Sequence, residues 1–190
     1  MLAETAGYVA KVVFELFIMA VLLRFYAQAL RASFRNPIAV FVLALTDWAV
    51  KPLRRVVPGL MGLDLASFFV AWWVAMALYL ILALLAGRAN FAAPQFFPML
   101  AVMGAVILIK LSLYLLIAVV LVQALLSWTN PTHPIRPFFE SLSRPFLRPL
   151  QRAVPLVGGV DLSPLILLIA LQVLLMLPVA YLESAVAKLF

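Results

Sequence analysis

Two stretches of the chain place basic side chains, prolines and an aspartate in the same order. Lys51-Pro52-Leu53-Arg54-Arg55 precedes Asp64, and Arg148-Pro149-Leu150-Gln151-Arg152 precedes Asp161, with Arg144 four residues before Arg148. Cationic groups held by proline turns suit phosphate oxygens or acidic side chains. Lys51, Arg54, Arg55, Arg144, Arg148 and Arg152 are therefore candidates for docking a partner or anionic lipid headgroups, although the same charges would also serve to fix orientation in a membrane. Asp64 and Asp161 stand where helices should begin. In Asp161-Leu162-Ser163-Pro164, Ser163 suits the capping position and Pro164 the first helical position. A negative charge there also suits the positive end of the helix dipole. As a symmetric pair, the two aspartates could instead hold a cation through carboxylate and backbone oxygens.

Little else in the sequence could do chemistry. Cysteine is absent and His133 is the single histidine, which removes disulfides, thiolate nucleophiles and the usual zinc or haem sites. No serine has a plausible base and no glycine-rich phosphate loop occurs, so the expectation is a non-enzyme with no cofactor and no metal. His133 reads as a polar loop residue. Glu15 and Lys110 lie within apolar stretches, where a charge invites a functional hypothesis. They are expected to pair between helices, with Lys11 one turn from Glu15 able to share it; the alternative is part of an ion path. Arg24 lies close enough to the end of its stretch to snorkel toward the surface.

The elements that must carry these residues follow from composition. Of 190 residues, 67% are hydrophobic and 11% charged, against roughly 25% charged in a soluble domain. The mean hydropathy is +1.18. This excludes a secreted domain, a cytosolic enzyme and a disordered tail, and indicates an integral membrane protein. Four apolar stretches are long enough to cross the bilayer as helices: about 8–30, 65–86, 99–128 and 164–182. The first is interrupted by Lys11, Glu15 and Arg24 and follows an acidic start, so it is read as a retained helix rather than a cleaved signal. The net charge of +7 is expected from cytoplasmic clusters facing anionic lipid rather than from nucleic-acid binding. The two long linkers carry nine Lys and Arg residues, against three (Lys11, Arg88 and Lys188) on the opposite side. The positive-inside rule then places both linkers in the cytoplasm and both termini outside, periplasmic in a bacterial inner membrane.

Shifting the chain by 97 residues aligns its halves without a gap, and between Pro37 and Leu65 twelve of 29 positions are identical to their counterparts. The matches include Pro52/Pro149, Arg55/Arg152, Pro58/Pro155, Gly62/Gly159 and Asp64/Asp161. Shared apolar composition does not generate such pairs. The expected architecture is an all-α membrane protein of four transmembrane helices. These form two parallel helix–linker–helix repeats, residues 1–97 and 98–190, in place of the inverted repeat of many carriers. In the second linker Arg136, Glu140, Arg144 and Arg148 recur every four residues, with Ile135, Phe138, Leu142 and Phe146 on another face. This predicts an amphipathic interfacial helix begun by Pro134 and ended by Pro145. The first-linker copy, 37–50, is more apolar, with Thr46 and Asp47 defining its polar side. Re-entrant hairpins and irregular loops are the alternatives.

Arg144-Pro145-Phe146-Leu147-Arg148-Pro149, Val154-Pro155, Gly158-Gly159 and Asp161-Leu162-Ser163-Pro164 together resemble the YggT family of bacterial membrane proteins, and the resemblance covers nearly the whole chain. The first copy keeps Lys51-Pro52-Leu53-Arg54, Val57-Pro58 and Asp64-Leu65, but has Ala66-Ser67 where the second has Ser163-Pro164. The resemblance implies a multi-pass inner-membrane protein linked to osmotic-stress tolerance, cell division or membrane-complex assembly. Chloroplast relatives are implicated in haem attachment to a cytochrome complex. The expected function is a non-enzymatic scaffold or assembly factor that recruits a membrane-protein partner through its linkers, in contact with anionic headgroups and compatible with a homo-oligomer. The alternative is a small oligomeric ion channel or transporter component in osmotic adaptation.

Overall fold

The structure, a computed structural model, describes residues 2–60, 62–87, 89, 91, 93–130, 132–154 and 161–189. Among these, seven α-helices follow in order: α1 (Leu2–Ala29), α2 (Pro37–Arg54), α3 (Leu65–Leu85), α4 (Phe96–Thr129), α5 (Arg136–Ala153), α6 (Ser163–Leu174) and α7 (Ala180–Leu189). A π turn, Leu175–Val179, joins α6 to α7 around Pro178, so the pair runs as one interrupted helix. Four segments are long and apolar enough to cross a membrane, within α1, α3, α4 and the α6–α7 unit. The expected all-α architecture of two helix–linker–helix units is therefore present. Both linker helices sit at one end of the bundle, with the start of α1 and the end of α7 at the other.

Each linker carries one unbroken helix of 18 residues, not the two limbs of a re-entrant hairpin. Helix α2 starts where proline at its first turn predicts, and Asn36 caps it by accepting the Ala39 N–H at 2.9 Å. His133, the Asn36 counterpart, occupies the turn before α5, where its Nδ1 accepts the Ile135 N–H at 3.3 Å. The expected stop at Pro145 does not occur: α5 continues through Pro145 and Pro149 to Ala153. Each proline removes an N–H from the helical ladder, but both lie on the exposed side, where a carbonyl lacking its donor can be hydrated.

Lipid tails are as apolar as leucine, so close packing and hydrogen bonds join the spans. Ile18 and Leu22 of α1, Val70 and Ala75 of α3 and Leu111 of α4 form the largest buried cluster. The seam between the units is equally tight. Trp72 donates its indole N–H to the Ala101 carbonyl at 3.0 Å, and the Tyr26 hydroxyl donates to Ser112 Oγ at 2.9 Å. A Cβ on Gly104 would stand 2.7 Å from Met76 Cγ, so glycine lets α4 approach α3. At the linker end, Phe138, Phe139 and Leu142 of α5 pack with Ala27 and Ala39, which places the second linker against the first unit. A tight turn precedes α3: Leu60 and Leu63 exchange backbone hydrogen bonds, and Gly62 takes φ +84°. That turn accounts for Gly62; its counterpart Gly159, with Pro155 and Gly158, lies outside the described residues, as does Arg88.

Candidate functional site

Arg24 is the centre of the first junction between spans and linker. It lies on α1 and is only 2% exposed, so the expected snorkelling does not occur. Its Nη1 donates to Thr46 Oγ1 at 2.9 Å and to Asp47 Oδ1 at 2.8 Å, both on α2. Its Nε stands 3.8 Å from Asp64 Oδ2 at the start of α3. A buried guanidinium needs acceptors, and this explains why Thr46 and Asp47 of α2 turn toward α1 while Phe41 and Trp48 are exposed.

Arg54 closes the same junction from the far end of α2. Its Nε donates to Asp64 Oδ1 at 3.1 Å, its Nη2 bonds Asp64 Oδ2, and Nη2 also donates to Gln28 Oε1 at 2.9 Å. Asp64 meanwhile caps α3, accepting the Ser67 N–H at 3.4 Å and the Ser67 hydroxyl. Burial raises its pKa, but Arg54 and Ser67 outweigh that and hold the carboxyl below the usual range. The Arg54 guanidinium is held correspondingly more basic by Asp64. Lys51 lies 2.7 Å from Asp47, one helical turn away, and with Arg24 it lowers the Asp47 pKa. Lys51 and Arg54 are thus paired with acids of the same junction although exposed, and Arg55 is the exposed residue beside them at the end of the first basic run.

The second junction uses equivalent positions differently. Asp161 accepts the Ser163 N–H at 2.9 Å and the Gln151 side-chain amide at 2.7 Å, so Gln151 takes the place of Arg54. Burial acts to raise the Asp161 pKa, but hydrogen bonds from Ser163 and Gln151 bring it below the usual range. Ser163 is the first residue of α6 rather than its cap, and Pro164 the second. The carboxylate of Asp161 supplies the capping acceptor instead, because Leu162 stands at the cap position and has no side-chain acceptor. Arg144 and Arg148 line a polar cavity of about 230 Å³ between α4, α5 and the start of α6, and Arg152 is exposed beside them.

The expected Glu15–Lys110 pair is not formed. Lys110 Nζ lies 2.7 Å from Glu183 Oε1, and Glu15 is 4.0 Å from Lys11 on its own helix. All four side chains line one cavity of about 230 Å³ toward the terminal end of the bundle. The fourth span continues past its expected end at Leu182, and α7 thereby brings Glu183 to Lys110. Asp64 and Asp161 are each satisfied by separate partners, and among the described residues no group of three His, Cys, Asp or Glu is placed to hold a metal ion.

Arg24 and Glu183 were the two residues least accessible to sequence reasoning. The signal for Arg24 was indirect: a lone arginine in an apolar span, with Thr46, Asp47 and Asp64 as the nearest acceptors along the chain. For Glu183 it was helical periodicity continuing beyond the apolar stretch.

The comparisons agree with this architecture. The CCB3/YggT family model matches residues 3–85 and 102–182, one segment in each unit. A Vibrio alginolyticus protein described as uncharacterised is 37% identical over 172 residues, covering 89% of this chain and 90% of its own. The Escherichia coli K12 protein YggT, also described as uncharacterised, is 35% identical and covers 90% of this chain and 87% of its own. A Pseudomonas aeruginosa protein with the same description is 31% identical over 178 residues, 93% of this chain and 89% of its own. No solved structure matches. With both units matched and relatives covering nine-tenths of its length, the chain belongs to the CCB3/YggT family.

Proposed function

We propose that the protein is a non-enzymatic scaffold or assembly factor of the bacterial inner membrane, with both linkers in the cytoplasm and both termini in the periplasm. Its role is docking a membrane-protein partner in osmotic adaptation, cell division or membrane-complex assembly. The observation that carries this reading is the matched pair Arg55 and Arg152, both exposed at the ends of linker helices whose inner faces are fixed to the spans. Rigid presentation of charge outside a packed junction suits recognition of an acidic partner surface. Arg148→Ala with Arg152→Ala reduces partner recovery and osmotic-stress survival, with insertion checked by protease accessibility. Lys51→Ala with Arg55→Ala gives a weaker loss, because Lys51 is engaged by Asp47. A correctly inserted quadruple variant with full activity overturns the docking role. Reporter fusions at Phe190 and near Ser141 report opposite compartments, and a cytoplasmic signal at Phe190 overturns the orientation.

The cavity holding Lys11, Glu15, Lys110 and Glu183 favours a second reading, an ion-conducting component in an oligomer. Ion flux through purified protein in liposomes, abolished by Lys110→Met, would establish it in place of the scaffold.

A further inference from the structure

The shift of 97 residues that aligns the two units places Leu121 opposite Arg24, Arg144 opposite Asp47 and Gln151 opposite Arg54. In the first unit a side chain of the protein fills the space between span and linker helix. In the second unit that side chain is absent and the polar cavity remains. Arg136, Arg144 and Arg148 stand on its wall with Glu140, Asp161 and Gln123. Arg144 and Arg148 thus face Glu140 and Asp161, and Asp161 is already engaged by Gln151 and the Ser163 N–H, which leaves Glu140 alone to oppose two guanidinium groups. Gln123 is 9% exposed and its Oε1 accepts no hydrogen bond. A buried acceptor is ordinarily paired, and the polar cavity beside it is where a donor, from water or from a ligand, reaches it.

The cavity's depth indicates which ligand. Gln123 lies six residues, about 9 Å, before the end of α4 at Thr129, and so inside the end of a helix long and apolar enough to cross a membrane. Leu121, Leu125 and Trp128 follow at helical spacing on one face of α4, 44%, 55% and 64% exposed. Trp128 forms part of the cavity wall, so this apolar stripe runs from the bilayer to the cavity. A ligand that fits both parts has acyl chains, a phosphate and a hydroxyl donor.

The geometry points to a binding site for an anionic glycerophospholipid of the phosphatidylglycerol type. Its phosphate sits between Arg144 and Arg148, its headgroup hydroxyl donates to Gln123 Oε1, and its chains lie along Leu121 and Leu125. Guanidinium groups suit phosphate oxygens through directed, charge-assisted hydrogen bonds. A zwitterionic headgroup would leave the excess positive charge uncompensated. The site does not depend on protein docking, because Gln123 is buried beneath the proposed docking face and Arg152 is not part of the cavity wall.

The test uses the purified, delipidated full chain and follows lipid-induced thermal shift and native mass spectrometry with phosphatidylglycerol, phosphatidylethanolamine and phosphatidylcholine. Phosphatidylglycerol should bind about tenfold tighter than either other lipid, and Gln123→Leu or Arg144→Gln with Arg148→Gln should remove about that preference. Gln123→Leu keeps or raises the melting temperature of the lipid-free protein, since it deletes a buried unpaired acceptor, while the phosphatidylglycerol-induced shift is lost. Arg152→Ala leaves lipid binding unchanged and lowers partner recovery, which separates this site from docking. Equal binding of the three lipids overturns the proposal, as does an undiminished phosphatidylglycerol shift in Gln123→Leu. Displacement by glycerol 3-phosphate at concentrations matching the lipid overturns the assignment to a membrane lipid, and stoichiometric capture of an acidic protein segment at Arg144 in lipid's place also overturns it.

Discussion

The two junctions between spans and linker helices share a backbone plan and differ in what fills it. In the first, Arg24, Thr46, Asp47, Arg54 and Asp64 form a continuous polar network with the guanidinium of Arg24 sealed at its centre. In the second, Leu121 is turned outward, Gln151 replaces an arginine, and a cavity remains. Both junctions keep an aspartate at the start of the returning helix, because the helix N-terminus requires an acceptor in either case. Beyond that shared need the polar residues have diverged, one set toward charge pairs sealed inside the protein, with Arg24 Nε left without a hydrogen bond, and the other toward an open surface. A repeat can thus hold one copy as a structural clamp and leave the other available.

The largest expected effect tests the clamp. Arg24→Met leaves Asp47 and Asp64 without their central partner, and breaking a buried pair from one side costs about 3–5 kcal/mol. Thermal unfolding in detergent, followed by tryptophan fluorescence, should show a large drop. Leu121→Ala at the equivalent position should cost under about 1 kcal/mol, since that side chain is exposed. Equal losses at the two positions would remove the distinction between the junctions.

A second effect separates the junctions from the seam that joins the units. Gly104→Ala puts a methyl group 2.7 Å from Met76 Cγ and 3.2 Å from the Trp72 ring. Overpacking of this kind costs about 1–3 kcal/mol. The same unfolding assay should register the loss, while the phosphatidylglycerol-induced shift persists because Gly104 is remote from that cavity. An unchanged melting temperature would show that α3 and α4 separate without penalty.

The response to acid contrasts the two aspartates. Each has its pKa lowered in the folded protein, so each contributes stability that is present above the unfolded value, about 3.9, and lost as pH falls through the folded value. Asp64 is held by a guanidinium and Asp161 by neutral donors. Unfolding measured from pH 6 to pH 2 should lose more of its acid dependence in Asp64→Asn than in Asp161→Asn. The reverse order would show that Arg54 does not govern the first junction.

What the sequence disclosed follows the same physics. Local signals gave the four spans, the Asp64 cap, the linker helices and the paired units, because each depends on residues a few positions apart or on a repeated pattern of them. The long-range polar choices were not legible. A lone Arg24 near a span end snorkels unless acceptors meet it, and those acceptors lie 22, 23 and 40 residues away on other helices. Pro145 is an ordinary helix stop when read locally, yet tertiary packing of Phe138, Leu142 and Leu147 holds α5 together through it. Glu15 and Lys110 are at similar expected depth, but depth does not specify which helix faces which. The π turn and α7 supplied the actual partner, Glu183.

The smallest expected effect asks whether one residue accounts for the difference between the junctions. Gln151→Arg places a guanidinium at the position matching Arg54, within reach of Asp161. If the Arg54–Asp64 pair alone made the first junction a clamp, this substitution would give the second junction comparable strength. Gln151 is exposed and Asp161 only half-buried, however, and Leu121 provides no second cation behind the carboxylate. An ion pair in that setting is worth about 0.2–1 kcal/mol and is weakened by salt. The melting temperature should therefore rise slightly at low ionic strength and return to the parent value at high salt. Arg54→Gln in the first junction should cost more, because Asp64 is buried and its carboxylate also faces the sealed Arg24. A double cycle with Asp64→Asn and Asp161→Asn isolates each pairwise coupling. A coupling in Gln151→Arg as large as that at Arg54 would place the difference in that single position, and a small one would place it in the buried arginine of the first span.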